Sequence, residues 1–172
     1  MKANTASNNT AVGNAALVAN TTGASNTAMG HSALAASTTG TENVAVGMYA
    51  LDASGAGTDG SYNVAVGNDA LGANTEGQFN VGIGRRALYA NTTADENTSI
   101  GYLSMLANTT GASNTAVGVS ALQANTTASH NVAVGNRALT AATTGSNNVA
   151  VGATALDACT DGELNTAVGD SA

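Results

Sequence analysis

An asparagine returns every 17 residues along nearly the whole chain, and any fold for this sequence has to accommodate that period. The series is Asn9, Asn26, Asn43, Asn63, Asn80, Asn97, Asn114, Asn131, Asn148 and Asn165. Its one wider step, 20 residues from Asn43 to Asn63, holds a three-residue insertion at Gly55, Ala56 and Gly57. A unit this short cannot cover its own apolar face, so each is buried against its neighbours, as in a solenoid or array. Residues 1–172 therefore form one repeat domain, with Ala3, Asn4 and Thr5 in a slightly short copy of the unit's second half.

With the asparagine as position 1, position 5 is Gly in every unit and position 4 is Val, Ile or Met. Position 9 is Leu except at Met105, position 8 is Ala except at Ser104, and positions 11 and 13 are Ala and Thr throughout. Variation gathers at positions 6, 7, 10, 16 and 17, where Arg85, Arg86, Tyr102, His31, His130 and most of the acids stand, so these are expected at the surface. The glycines and the Asn-Thr-Thr-Gly cluster of each unit end helices. Two strand-like pieces remain, Thr-Ala-Val at positions 2–4 and Ala-Leu-x-Ala at positions 8–11, each followed by a turn signal. The expected fold is all-β, a parallel β-solenoid of about ten 17-residue coils. Stacked at about 4.8 Å, such coils make a rod of roughly 45–50 Å. Asn at position 1 and Thr at position 13 then form ladders down the rod, and stacked amides can hydrogen-bond from coil to coil.

Within the first strand, positions 2 and 4 point one way and position 3 the other. Position 3 is Ala at eight of ten places, with Gly82 and Ser99 as the exceptions. A strand that is small and apolar on its second face is usually covered on both sides. One coil is too thin to cover its outer face, so the Ala row is expected to meet identical copies about an axis parallel to the rod. The competing explanation is an Ala row merely tolerated in a crowded wall.

Composition narrows the function classes. Eleven acidic and four basic residues give a net charge of −7, with no basic patch to neutralise phosphates, which argues against nucleic acid as a partner. No apolar run approaches the roughly 18 residues of a membrane helix, so no membrane insertion is expected. The amino terminus, MKANTASNN, has no apolar signal core, as expected for a virion component or for a segment of a longer exported chain. Cys159, the single cysteine, stands where most other units carry Asn or Ser and is expected to be an incidental free thiol. A Gly-, Asn- and Thr-rich chain could be a disordered linker, but such a linker has no reason to keep Leu in phase.

The runs NTAVG, NVAVG and NVGIG, followed by Ala-Leu and then NTTG or TTG, resemble the tandem repeats of phage and prophage tail fibres. They are similar, more distantly, to the NxVAIG repeats in the heads of YadA-like trimeric autotransporter adhesins. The resemblance covers the chain from about Ala3 to Ala172. It implies a left-handed β-roll that trimerises side by side and serves as a shaft or adhesive head on a virion or cell surface, with a cell-surface receptor or glycan as partner. The 17-residue period and the regular Asn-Thr-Thr-Gly corners depart from the adhesin head and favour the tail-fibre version.

No catalytic, metal or cofactor site is expected. His31 and His130 occupy positions 6 and 17, six coils apart, and no Ser/His/Asp set, paired carboxylates, CxxC or HExxH occurs. Acids at the long corner, Asp59, Glu76, Asp95, Glu96, Asp161 and Glu163, lack the GGxGxD calcium pattern and are better explained as a solvated face. The alternatives to a fibre segment are an ice-binding solenoid, given the Thr row at position 13, and a fibril stacked end to end. Position 14 breaks a two-row Thr lattice with Asp59, Glu76 and Asp161. One contact patch stands out: Arg85, Arg86 and Tyr89 fill positions 6, 7 and 10 of one coil, and Tyr102, Leu103 and Leu106 fill them in the next. Stacking sets Arg85 beside Tyr102 and Tyr89 beside Leu106, with Met48 and Tyr49 two coils before. Such clusters mark contact with a ligand or packing against a neighbouring protomer.

Overall fold

The computed structural model describes residues 5–53 and 60–172. The insertion at 55–57 lies outside them, as do Ala3, Asn4, Thr58 and Asp59. The described residues are all-β, with ten three-residue strands among them: β1 (Thr10–Val12), β2 (Thr27–Met29), β3 (Val44–Val46), β4 (Val64–Val66), β5 (Val81–Ile83), β6 (Thr98–Ile100), β7 (Thr115–Val117), β8 (Val132–Val134), β9 (Val149–Val151) and β10 (Thr166–Val168). They pair in sequence order as one parallel sheet, each position against its equivalent in the next coil, as in Thr115↔Val132 and Val117↔Val134. This is the β-solenoid that the 17-residue period requires. The inserted residues do not disturb its register, because β3 and β4 pair Val44↔Val64 and Val46↔Val66 across the longer step.

The second strand expected at positions 8–11 is not formed. In its place the backbone turns repeatedly through left-handed conformations: positions 7, 9 and 17 carry positive φ in every described coil, as at Ser120 (55°), Leu122 (53°) and His130 (60°). A left-handed non-glycine residue costs roughly 1–2 kcal/mol. Hydrogen bonds up the rod offset that cost: the Leu122 N–H donates to the Ala138 carbonyl at 2.9 Å and the Ala124 N–H to the Thr140 carbonyl at 3.1 Å. Ala-Leu-x-Ala thus imitates a strand's alternation while following a tighter path. Position 5 is more extreme, with φ of 141° at Gly118, where a Cβ would also run into the Gly135 carbonyl of the next coil. Only glycine fits there.

The Ala row also faces the opposite way from the expected one. Ala28, Ala45, Ala65, Ala116, Ala133 and Ala150 are fully buried inside the coil, whereas Val12, Met29, Ile83, Ile100, Val134 and Val151 at position 4 are exposed. The reason is volume. A 17-residue coil holds about one large side chain per layer, and Leu at position 9 fills that place, with Leu17, Leu34, Leu71, Leu88, Leu122 and Leu139 completely or almost completely buried. Facing strand residues must then be small; Gly82 shows the fit, since a Cβ there would approach Leu71 Cγ to 3.2 Å. Each buried Leu contributes roughly 1.5–3 kcal/mol. The larger aliphatic residues left over form the outer wall.

Two amide ladders complete the interior. At position 1 each Asn Oδ1 accepts the backbone N–H of the next coil's Asn, unbroken from Asn9 to Asn165 at 2.9–3.0 Å. Its Nδ2 reaches across the coil to the position-15 carbonyl, as from Asn97 to Gly111 at 2.9 Å. The second ladder, at position 12, joins amide to amide: Asn91 Nδ2 donates to Asn74 Oδ1 (2.7 Å), Asn108 to Asn91 (3.1 Å) and Asn125 to Asn108 (2.6 Å).

Candidate functional site

The six residues of the expected contact patch lie in the turns that follow β5 and β6, and the structure joins four of them in two pairs. Arg85 Nη1 donates to Tyr102 Oη at 3.5 Å, with its guanidinium 5.9 Å from the Tyr102 ring centroid. Arg86 instead folds back within its own coil, its guanidinium 4.4 Å above the Tyr89 ring. Stacked guanidinium and ring attract through the ring quadrupole. Tyr89 leans on the preceding coil, where Gly72 leaves room: a Cβ at Gly72 would stand 3.0 Å from Tyr89 Cε2. The stacking of its coil on that of Leu106 is made by the backbone, with the Ala90 N–H donating to the Leu106 carbonyl at 3.1 Å. Leu103 and Leu106 are half-buried, and Tyr102 is exposed. Among the described residues neither Arg85 nor Arg86 forms an ion pair, and Arg86 Nε is buried with no hydrogen-bond partner.

Met48 and Tyr49 are both exposed, and Tyr49 meets His31 edge to face at 5.3 Å between centroids. Asp52 and Asp69 belong to the same neighbourhood. Burial pushes the Asp52 carboxyl above the usual carboxylate range, the His31 charge pulls it down, and Asp69 raises it further.

A second aromatic pair stands outside the expected patch. Tyr62 and Phe79 occupy position 17 of consecutive coils and stack face to face, 5.0 Å between centroids and 5° from parallel, both exposed. Glu42 and Glu96 hold the same position one coil before and one coil after. Two aromatics one period apart are the signal for this stack in the sequence, and the variety of residues at position 17 hides it.

The long-corner acids serve as acceptors along the rod. Asp95 Oδ1 takes the Gln78 N–H at 2.7 Å, Glu96 Oε2 the Ser113 hydroxyl at 3.1 Å and Asp161 Oδ1 the Thr160 hydroxyl at 3.2 Å. Glu76 and Glu163 are exposed. Among the described residues no three His, Cys, Asp or Glu side chains converge. Cys159 is half-buried, its Sγ 3.9 Å from the Gly162 carbonyl.

The Thr ladder at position 13 turns its hydroxyls along the rod. Thr75, Thr92, Thr109, Thr126 and Thr143 each donate Oγ1–H to the backbone carbonyl of the next coil's Thr, at 3.0–3.2 Å. By contrast, among the described residues the outward position-4 row stays open to solvent in most coils: Val12, Met29, Ile83, Ile100, Val134, Val151 and Val168 are 36–71% exposed. No protein-family model, curated protein or solved structure matches the chain.

Proposed function

We propose that this chain is a non-catalytic structural or adhesive segment of an extracellular fibre, of the phage tail-fibre or surface-adhesin kind. In it three copies pack side by side into a rigid rod that carries or provides receptor contact. The observation behind this reading is the outward row Val12 to Val168, a Val, Ile or Met in every coil on one parallel sheet. Parallel sheets are ordinarily covered on both faces, and exposed apolar strips of several hundred Å² mark association surfaces. The number three comes from the resemblance to trimeric fibre repeats. Because the position-13 hydroxyls donate to backbone carbonyls, their order supports the rod more than it supports an ice-matching lattice.

Light scattering on the purified chain tests the reading. The expected molar mass is three times the 16.5 kDa of one chain. A stable monomer at micromolar concentration would remove the basis for calling it a fibre segment.

A further inference from the structure

The outward sheet has two long edges that differ in charge, and that difference selects how copies pack. Positions 6–7 follow each strand and carry every Arg of the chain, Arg85, Arg86 and Arg137, together with His31; Asp69 and Asp170 are the acids there. Positions 16–17 precede each strand and carry Glu42, Asp95, Glu96 and Glu163 with His130 and no Arg. Glu42, Asp95, Glu96, His31 and Arg85 are all exposed, and Arg86 is half-buried.

We infer that a second copy of this chain covers the Val and Ile wall in parallel orientation, with the Arg85–Arg86 edge of one copy against the Asp95–Glu96 edge of the next. The inference rests on the fibre reading above and names the contact that holds such a fibre together. Rotating a copy about an axis along the rod brings its position-6 edge onto its neighbour's position-17 edge, unlike against unlike, whatever the number of copies. Turning a copy over about an axis along the strands puts Arg85 and Arg86 against themselves and the acids against acids. Charges of one sign held together raise the free energy of that arrangement, so the antiparallel pairing is disfavoured. A cyclic assembly keeps its copies level. The acids that precede β6, Asp95 and Glu96, then lie within about one coil spacing, roughly 4.8 Å, of the level of Arg85 and Arg86, which follow β5. His31 after β2 falls opposite Glu42 before β3 in the same way.

The edges are also needed for area. Ten strands at about 4.8 Å and three residues at about 3.3 Å make an aliphatic face of only about 480 Å². A stable interface takes about 800 Å² from each partner. Including both edges roughly doubles the width to about 20 Å and reaches that figure. The absence of an ion pair at Arg85 and Arg86 among the described residues leaves their charge unneutralised within one copy and open to a neighbour's carboxylates.

Charge exchange tests this. Arg85→Glu with Arg86→Glu, and separately Asp95→Arg with Glu96→Arg, are each expected to weaken association at least tenfold by sedimentation equilibrium, and the fourfold variant to recover to within about threefold of the unaltered chain. Circular dichroism confirms that each variant is folded; if one is not, Arg85→Gln with Arg86→Gln replaces it, with weakening of at least threefold expected. An unaltered chain that assembles while the reversed or neutralised variants assemble equally well, or a fourfold variant no better than the pairs, overturns this inference and leaves the fibre reading standing. A monomeric unaltered chain overturns both.

Discussion

Removing the amide of Asn97 is predicted to damage the rod far more than removing the hydroxyl of Thr109, although each belongs to a ladder that continues into the coils on either side. Asn97 Oδ1 is the acceptor for the buried Asn114 N–H at 3.0 Å, and its Nδ2 donates to the Gly111 carbonyl at 2.9 Å. In Asn97→Ala the Gly111 carbonyl keeps a donor, Asn108 Nδ2 at 2.9 Å, but the Asn114 N–H has no other acceptor. An orphaned buried donor costs about 1–3 kcal/mol and the lost bond to Gly111 about 0.5–1.5, so about 1.5–4.5 kcal/mol is expected. Thr109→Val removes the 3.0 Å bond to the Thr126 carbonyl, which still receives the Thr109 and Thr110 N–H groups at 2.9 and 3.2 Å. Its cost is expected to be about 0.5–1 kcal/mol. At about 2–4 °C per kcal/mol for a chain of this size, Asn97→Ala lowers the melting temperature by about 3–18 °C and Thr109→Val by no more than about 4 °C. Calorimetry measures both, and hydrogen exchange at the Asn114 amide locates the damage. Equal losses from the two substitutions, or an Asn114 amide that stays protected in Asn97→Ala, would refute the reasoning.

The position-12 amide ladder stops at Ala142, leaving the buried Asn125 Oδ1 without a partner, so Ala142→Asn is expected to extend it and stabilise the chain by about 0.5–1.5 kcal/mol in a denaturant titration. Leu122 sits at φ 53°, a conformation that a β-branched side chain resists. Leu122→Met should therefore cost less than about 1.5 kcal/mol, while Leu122→Ile, equal in volume, costs more because of its branching; melting temperatures in the reverse order would contradict the left-handed assignment. The Asp52 carboxyl, raised chiefly by burial, binds its proton more tightly folded than unfolded. Stability is therefore lost as pH rises from the ordinary carboxylate range through the raised value. Asp52→Asn should abolish that slope and melt higher than the unaltered chain at neutral pH; a parallel pH profile for the two would count against it.

Architecture was legible because the period is strict and glycine, Asn and Thr exclude helix, leaving stacked coils as the fold that keeps the leucines of position 9 in phase. Local geometry was less legible. Ala-Leu-x-Ala alternates as a strand does, and nothing in Leu122 or Arg86 announces a left-handed residue, since the ladder of neighbours, not intrinsic preference, imposes it. The inward face of the Ala row escapes a sequence reading for a related reason: the interior has room for one Leu per coil, which makes Val117 an outer residue and Ala116 an inner one. Register placed Arg85 beside Tyr102 correctly, because that pair depends only on the period. The folding of Arg86 back onto Tyr89, and the lean of Tyr89 onto Gly72, depend on side-chain paths that the period does not encode.

Solution X-ray scattering, read for mass and longest dimension together, tests lateral packing of the outer Val wall most directly. Side-by-side copies give a mass of three times 16.5 kDa with a rod length still near that of one solenoid, about 45–50 Å. A mass of one chain, or a mass that grows in step with length, would contradict it.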